Sequence, residues 1–227
     1  MLSMSSLTSF GLKEKIKSFK ISLIGLLLIP IIIFGSFLLV SFDINYYDKL
    51  FDIYGSNSRL QNSHDLGLEI IDFFNYRSEL SNPFDQNEIS HMRDVRNIFL
   101  ALRLIFVVST AILLVYIISS IKEEKHLSII KDLNKGAIYS VIAVILLALL
   151  AIPFNLFFSM FHAIFFPQGN WTFPPDSALI MLFPQEFFQR AFTDVLILAA
   201  VFSILLFSIT YVLEKILELK GFTKHEQ

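Results

Sequence analysis

Four stretches of about 20 mainly apolar residues punctuate the chain, each long enough to cross a bilayer as a helix. They cover residues 21–40, 98–120, 137–158 and 192–213. Pro30 in the middle of the first predicts a kink there, and Arg103 lies near one end of the second. A cleaved signal peptide is the rival reading of the first stretch. Its apolar run exceeds a typical h-region, and no small-residue cleavage site follows, so a retained span is expected.

The polar intervals carry patterns of their own. SHDLGLEIIDFFNYRSEL, starting at Ser63, places Leu66, Leu68, Ile70, Ile71, Phe73 and Phe74 at spacings that suit an amphipathic or interfacial helix. Asn82-Pro83 marks a break. Asp85 with Glu88 then fits a helix N-cap with a capping box. Nothing interrupts the helix from there into the second span. Glu88, Ser90, His91, Arg93 and Asp94 therefore ride on an outward extension of that span, with Asp94 one turn from His91 and within reach of its ring. Segment 41–97 is too small for an independent core and reads as short helices lying on the spans. Segment 159–191 has four prolines, a Gln-Gly-Asn turn and the single Trp171, which predicts a re-entrant or interfacial loop with an aromatic belt.

Composition sharpens this picture. The chain is 55% hydrophobic and only 17% charged, against about 25% charged in an ordinary soluble domain. A net charge of −2 argues against nucleic acid as a partner. The absence of cysteine removes disulfides, Cys-ligated metals and a thiolate nucleophile. The fold class is thus all-α: a polytopic membrane protein with four transmembrane helices and small helical extracytoplasmic elements.

Charge placement orients the spans. Lys13, Lys15, Lys17 and Lys20 precede the first span; Lys122, Lys125, Lys131 and Lys135 fill the interval before the third; Lys215, Lys220 and Lys224 follow the fourth. By the positive-inside rule, segments 1–20, 121–136 and 214–227 are cytoplasmic, leaving 41–97 and 159–191 outside. All six arginines (Arg59, Arg77, Arg93, Arg96, Arg103, Arg190) then lie on the outer side. They either pair with outer carboxylates or hold a lipid phosphate or acyl carbonyl in a bidentate fork.

Of five histidines, His126 and His225 sit among lysines, and His64 opens a helix after a polar stretch. His91 and His162 differ. Spans two and three should be antiparallel neighbours across a short loop, which brings their outer ends, and these two rings, to one lipid–water boundary. A structural role for both rings stays open beside a functional one. A zinc site built from His91, His162 and Asp94 or Glu88 lacks any H-E-x-x-H spacing. Ser90, Ser159 and Ser177 lack a nucleophile elbow. A histidine beside a carboxylate is a general base in search of a nucleophile, and the nucleophile can belong to the substrate.

EISHMRDV (88–95), FHAIFF (161–166) and WTFPPDSALIMLFPQEFF (171–188), in this order, resemble the bacterial lipoprotein intramolecular transacylase family. The resemblance runs over essentially the whole chain and implies a cofactor-independent acyltransferase in the bacterial cell membrane. Its substrates would be diacylglyceryl lipoproteins among membrane lipids. The sn-2 acyl chain would pass to the α-amine of the lipid-modified N-terminal cysteine, giving a lyso-form lipoprotein. The resemblance assigns His91 and His162 the catalysis. Asp94 is expected to orient His91 as the acid, His162 to act as base, and Glu88, Arg77, Arg93, Trp171 and Asp176 to support the pocket. A metal-dependent membrane hydrolase and a non-enzymatic lipid-binding protein are the alternatives; a channel fits less well, because three spans are nearly free of charge.

Overall fold

The helices follow the apolar pattern, with their ends set by proline and by caps. A computed structural model describes residues 22–225, with side chains as far as Leu219. The expected segment 1–20, residue 21 and the side chains of Lys220, Lys224 and His225 lie outside the described residues. Ten helices are seen among them: α1 (Leu23–Leu26), α2 (Leu28–Ser41), α3 (Ile44–Ile53), α4 (Ser56–Arg59), α5 (Ser63–Phe74), α6 (Gln86–Lys122), α7 (His126–Leu150), α8 (Phe154–Phe165), α9 (Ala178–Leu182) and α10 (Gln185–His225). Four helical runs are long and apolar enough to cross a membrane: Leu23–Ser41, Gln86–Lys122, His126–Leu150 and Gln185–Leu219.

The break in the first span falls at Leu27, between α1 and α2. Pro30 has no N–H for the Leu26 carbonyl and its ring crowds that carbonyl, so the disruption appears one turn upstream. The Asp85–Glu88 capping box forms as expected and starts α6. That helix has 37 residues, about 55 Å at ~1.5 Å per residue, against a hydrocarbon core of about 30 Å. Its polar first three turns therefore project beyond the apolar part. The third span departs most from the sequence reading. Its helix begins at His126, inside the expected loop 121–136, and stops at Leu150 rather than running to 158. Pro153 ends it, and a separate amphipathic helix, α8, takes over.

Span one is the hub of the bundle, packing on spans two, three and four, while span four packs most extensively on α7. The interfaces use small residues. Ala137, Ala199, Ser36, Ser140 and Ser203 are wholly buried, and a Cβ on Gly136 would meet the Gly25 carbonyl oxygen at 2.5 Å. Close backbone approach of this kind drives helix association where lipid supplies no hydrophobic force.

At the end opposite the lysine-bearing turns, α3, α5, the start of α6, α9 and the start of α10 share one apolar core. Tyr47, Leu50, Phe51, Ile70, Phe73, Phe74, Ile89, Leu182, Phe183 and Phe187 pack together there. Segment 41–97 alone is too short for a core, and it acquires one by enclosing residues of segment 159–191.

Candidate active site

His91 lies on the second turn of α6, set there by the Asp85 cap. Its face of the helix is shared with Glu88 at i−3 and Asp94 at i+3. His162 lies in the last turn of α8, which Phe166 closes by donating its N–H to the His162 carbonyl at 2.8 Å. Pro167 follows and forbids continuation. The two imidazole rings come within 6.0 Å, centroid to centroid, nearly parallel at 25°. Spans two and three are expected to deliver these rings as close neighbours, yet they touch only sparsely. The meeting is made by α8, a separate helix that starts after the break at Pro153 and carries His162 to within 6.0 Å of the His91 ring.

Aromatic side chains wall the pair. Phe166 lies 4.6 Å from His91 and 5.4 Å from His162. Phe173 lies 5.6 Å from His91, Trp171 4.9 Å from His162, and Phe158 4.1 Å from His162. His91 is 7% exposed, and its Nδ1 is buried without a hydrogen-bond partner. Burial, and then the neighbouring His162, push its pKa from 6.5 down to about 4, with Asp94 acting in the opposite sense. Burial also lowers His162, opposed by the Phe158 carbonyl. Both shifts favour the neutral imidazole.

The tautomer of His162 follows from chemistry. Its Nδ1 is 2.7 Å from the Phe158 carbonyl oxygen. A carbonyl only accepts, so Nδ1 carries the proton and Nε2 keeps its lone pair. That nitrogen is available as a base.

The two carboxylates beside His91 are engaged elsewhere. Asp94, expected to orient His91, instead uses Oδ2 to accept from Gln168 Nε2 and Asn170 Nδ2, both at 2.8 Å. Glu88 is 1% exposed, and both of its oxygens take backbone N–H groups: Asp85 at 2.7 Å and Leu179 at 2.8 Å. It caps α9 as well as α6. The Trp171 ring lies against His162. Arg77 pairs with Asp72 at 3.4 Å, and Arg93 approaches Glu79 at 3.6 Å. Arg93 is two residues from His91, which turns it to the far side of α6. Asp176 is exposed in the loop before α9. Arg96 and Arg190 also meet carboxylates, at 3.2 and 2.8 Å, so pairing, the plainer of the two readings, describes four of the six arginines.

Phe158, Phe166, Phe173, Gln168 and Asn170 belong to the site and escaped the sequence reading. A carbonyl anchor such as that of residue 158 has no side-chain signature. The polar Gln-Gly-Asn turn in a phenylalanine-rich loop was the visible signal for the other clasp residues. Among the described residues, no group of three or more His, Asp or Glu is arranged to hold a metal ion.

This fold matches solved structures. An in meso structure of the membrane integral lipoprotein intramolecular transacylase Lit from Bacillus cereus superposes with a TM-score of 0.75 at 23% identity, covering 86% of this chain and 94% of that one. A histidine-to-arginine variant of the same protein gives a TM-score of 0.67 at 23% identity, covering 95% and 98%. At that identity the likeness establishes the fold. No curated protein matches by sequence. The family model described as lipoprotein intramolecular transacylase Lit matches residues 22–188, a stretch that holds the first three spans, both histidines and the loop that walls them. The chain thus belongs to the lipoprotein intramolecular transacylase family and is a membrane-integral acyltransferase that acts on lipoproteins.

Proposed function

We propose that the enzyme moves the sn-2 acyl chain of a diacylglyceryl lipoprotein to the α-amine of its N-terminal cysteine, with His162 and His91 as the catalytic pair. The observation that carries this reading is the 6.0 Å pairing of two imidazoles, one with its Nδ1–H committed to a backbone carbonyl. His162 Nε2 accepts a proton from the amine as nitrogen attacks the ester carbonyl. The N–C bond forms, the ester C–O bond breaks, and the imidazolium of His162 returns the proton to the departing glyceryl oxygen. His91 is neutral at pH 7, so it serves as an N–H donor that polarises the carbonyl rather than as an imidazolium acid. Amine and ester are on one molecule, so alignment supplies much of the acceleration.

In this reading the site faces the extracytoplasmic side of the bacterial cell membrane, both termini are cytoplasmic, and membrane lipids surround spans near 21–40, 98–120, 137–158 and 192–213. The lysine-rich turns at the far end of the bundle support that orientation. Trp171 and Asp94 support the pocket through the loop they hold. The test is mass spectrometry of lipopeptides from cells whose only transacylase is His91→Ala or His162→Ala. Either change should cut lyso-form product by ~10²–10⁴-fold; full product from either variant rejects the assignment.

A further inference from the structure

We propose that Asp94, clasping Gln168 and Asn170, sets the preference for amine over water by closing an aromatic roof over the histidine pair. The inference rests on His91 and His162 being the catalytic pair.

The loop from Phe166 to Leu179 is fastened to α6 at two points, on either side of His91. At one end, Glu88 accepts the Leu179 N–H. At the other, Asp94 Oδ2 accepts both amide donors, and Gln168 Nε2 also donates to Asn170 Oδ1 at 3.0 Å. Gly169, at φ +78°, makes the turn that lets the two amides point at one carboxylate oxygen. The side chains carried by this loop are the ones that dry the site. Phe166 is 1% exposed and touches both imidazoles; Trp171 covers His162 and Phe173 covers His91. Beneath them the His91 Nδ1 is buried and has no hydrogen-bond partner among the described residues.

The chemistry needs such dryness. Attack by the α-amine gives an amide and the free glyceryl hydroxyl. Attack by water breaks the same ester C–O bond and gives the same hydroxyl, with a fatty acid in place of the amide and the amine left free. The same base assists both. Exclusion of water from the acyl carbonyl is what separates them. The Glu88 end of the loop is buried, whereas Gln168 is exposed. Loosening the Asp94 end therefore opens the roof without unseating α9.

The test follows both products, N-acyl lyso-form lipopeptide and free fatty acid, by mass spectrometry with the purified full chain and a diacylglyceryl lipopeptide. Asn170→Asp sets two carboxylates against each other and opens the clasp. Combining it with Asp94→Asn restores a donor–acceptor pair with the polarity reversed. Gln168→Ala, at an exposed position, loosens the clasp in a variant that keeps its fold. Fatty acid should rise from none in the wild type to about a tenth of turnovers or more in Asn170→Asp and Gln168→Ala, and fall again in the exchanged pair. Slower turnover that still yields only the lyso-form, or no change in any variant, overturns the proposal. His162→Ala run alongside separates the two readings. If it still transfers the acyl chain, the catalytic pair is wrongly assigned. If it is inactive while the clasp variants release no fatty acid, only the roof fails.

Discussion

His91 shows what burying a titratable ring costs at a single position. Its imidazole is buried among Phe166, Phe173 and His162, so the charged form is disfavoured and the pKa falls to about 4. Its ordinary value is near 6.5, so the unfolded chain binds a proton that the folded one refuses between pH 6.5 and 4. Stability is therefore fully present above pH 6.5 and erodes as pH falls through that window. Thermal unfolding followed from pH 7 to pH 4 should show this decline, and His91→Phe should flatten it; an equal decline in the variant contradicts the assignment. Glu88 is a buried carboxylate whose oxygens satisfy the N–H groups of Asp85 and Leu179. Glu88→Ala leaves both donors unpaired and should lower stability by ~1–3 kcal/mol, measured as a lower denaturation midpoint in detergent. Activity should fall with it, because the loop over the histidines loses its buried anchor.

At the scale of elements, the backbone contact between the first and third spans is a defined weak point. A Cβ on Gly136 would meet the Gly25 carbonyl oxygen at 2.5 Å, Leu28 Cδ1 at 2.6 Å and Gly25 Cα at 3.0 Å. Two of these atoms are backbone and cannot swing aside. Gly136→Ala should force the spans apart and cost about 1–3 kcal/mol, read as a lower unfolding temperature with acyl transfer otherwise intact in the surviving folded fraction. The position lies near the middle of α7, about 20 Å along the axis from the end that leads to α8, so a specific loss of product partitioning is not expected from it. The short helix α8 is the element on which the site depends most. Pro153 and Pro167 bound it on either side, and it carries the His162 that faces His91.

For the whole molecule, the layout is a four-helix scaffold with a small apolar core at one end and lysine-bearing turns at the other. The two polar segments are each too short to fold alone and complete one another through Phe51, Phe73, Leu182 and Phe187. Orientation can be tested with single cysteines, because the chain has none of its own. A cysteine introduced at the exposed Asn57 should react with an impermeant maleimide in intact cells, and one at Glu123 only after lysis. The reverse pattern would invert the proposed topology.

Much of this was legible along the chain. Apolar run length specified four spans because a bilayer demands about 20 apolar residues. The Asp85–Glu88 box specified where α6 begins, because capping is a local matter of four residues. The motifs around His91 and His162 pointed to the two histidines. Tertiary structure decided what local pattern cannot encode. It routed the histidines together through α8 rather than through direct packing of spans two and three. It gave Asp94 to the side-chain amides of Gln168 and Asn170, and Glu88 to the backbone of α9. These outcomes depend on hydrogen-bond partners more than 70 residues distant in sequence, and a carboxylate's neighbours at that range are set by packing, not by spacing.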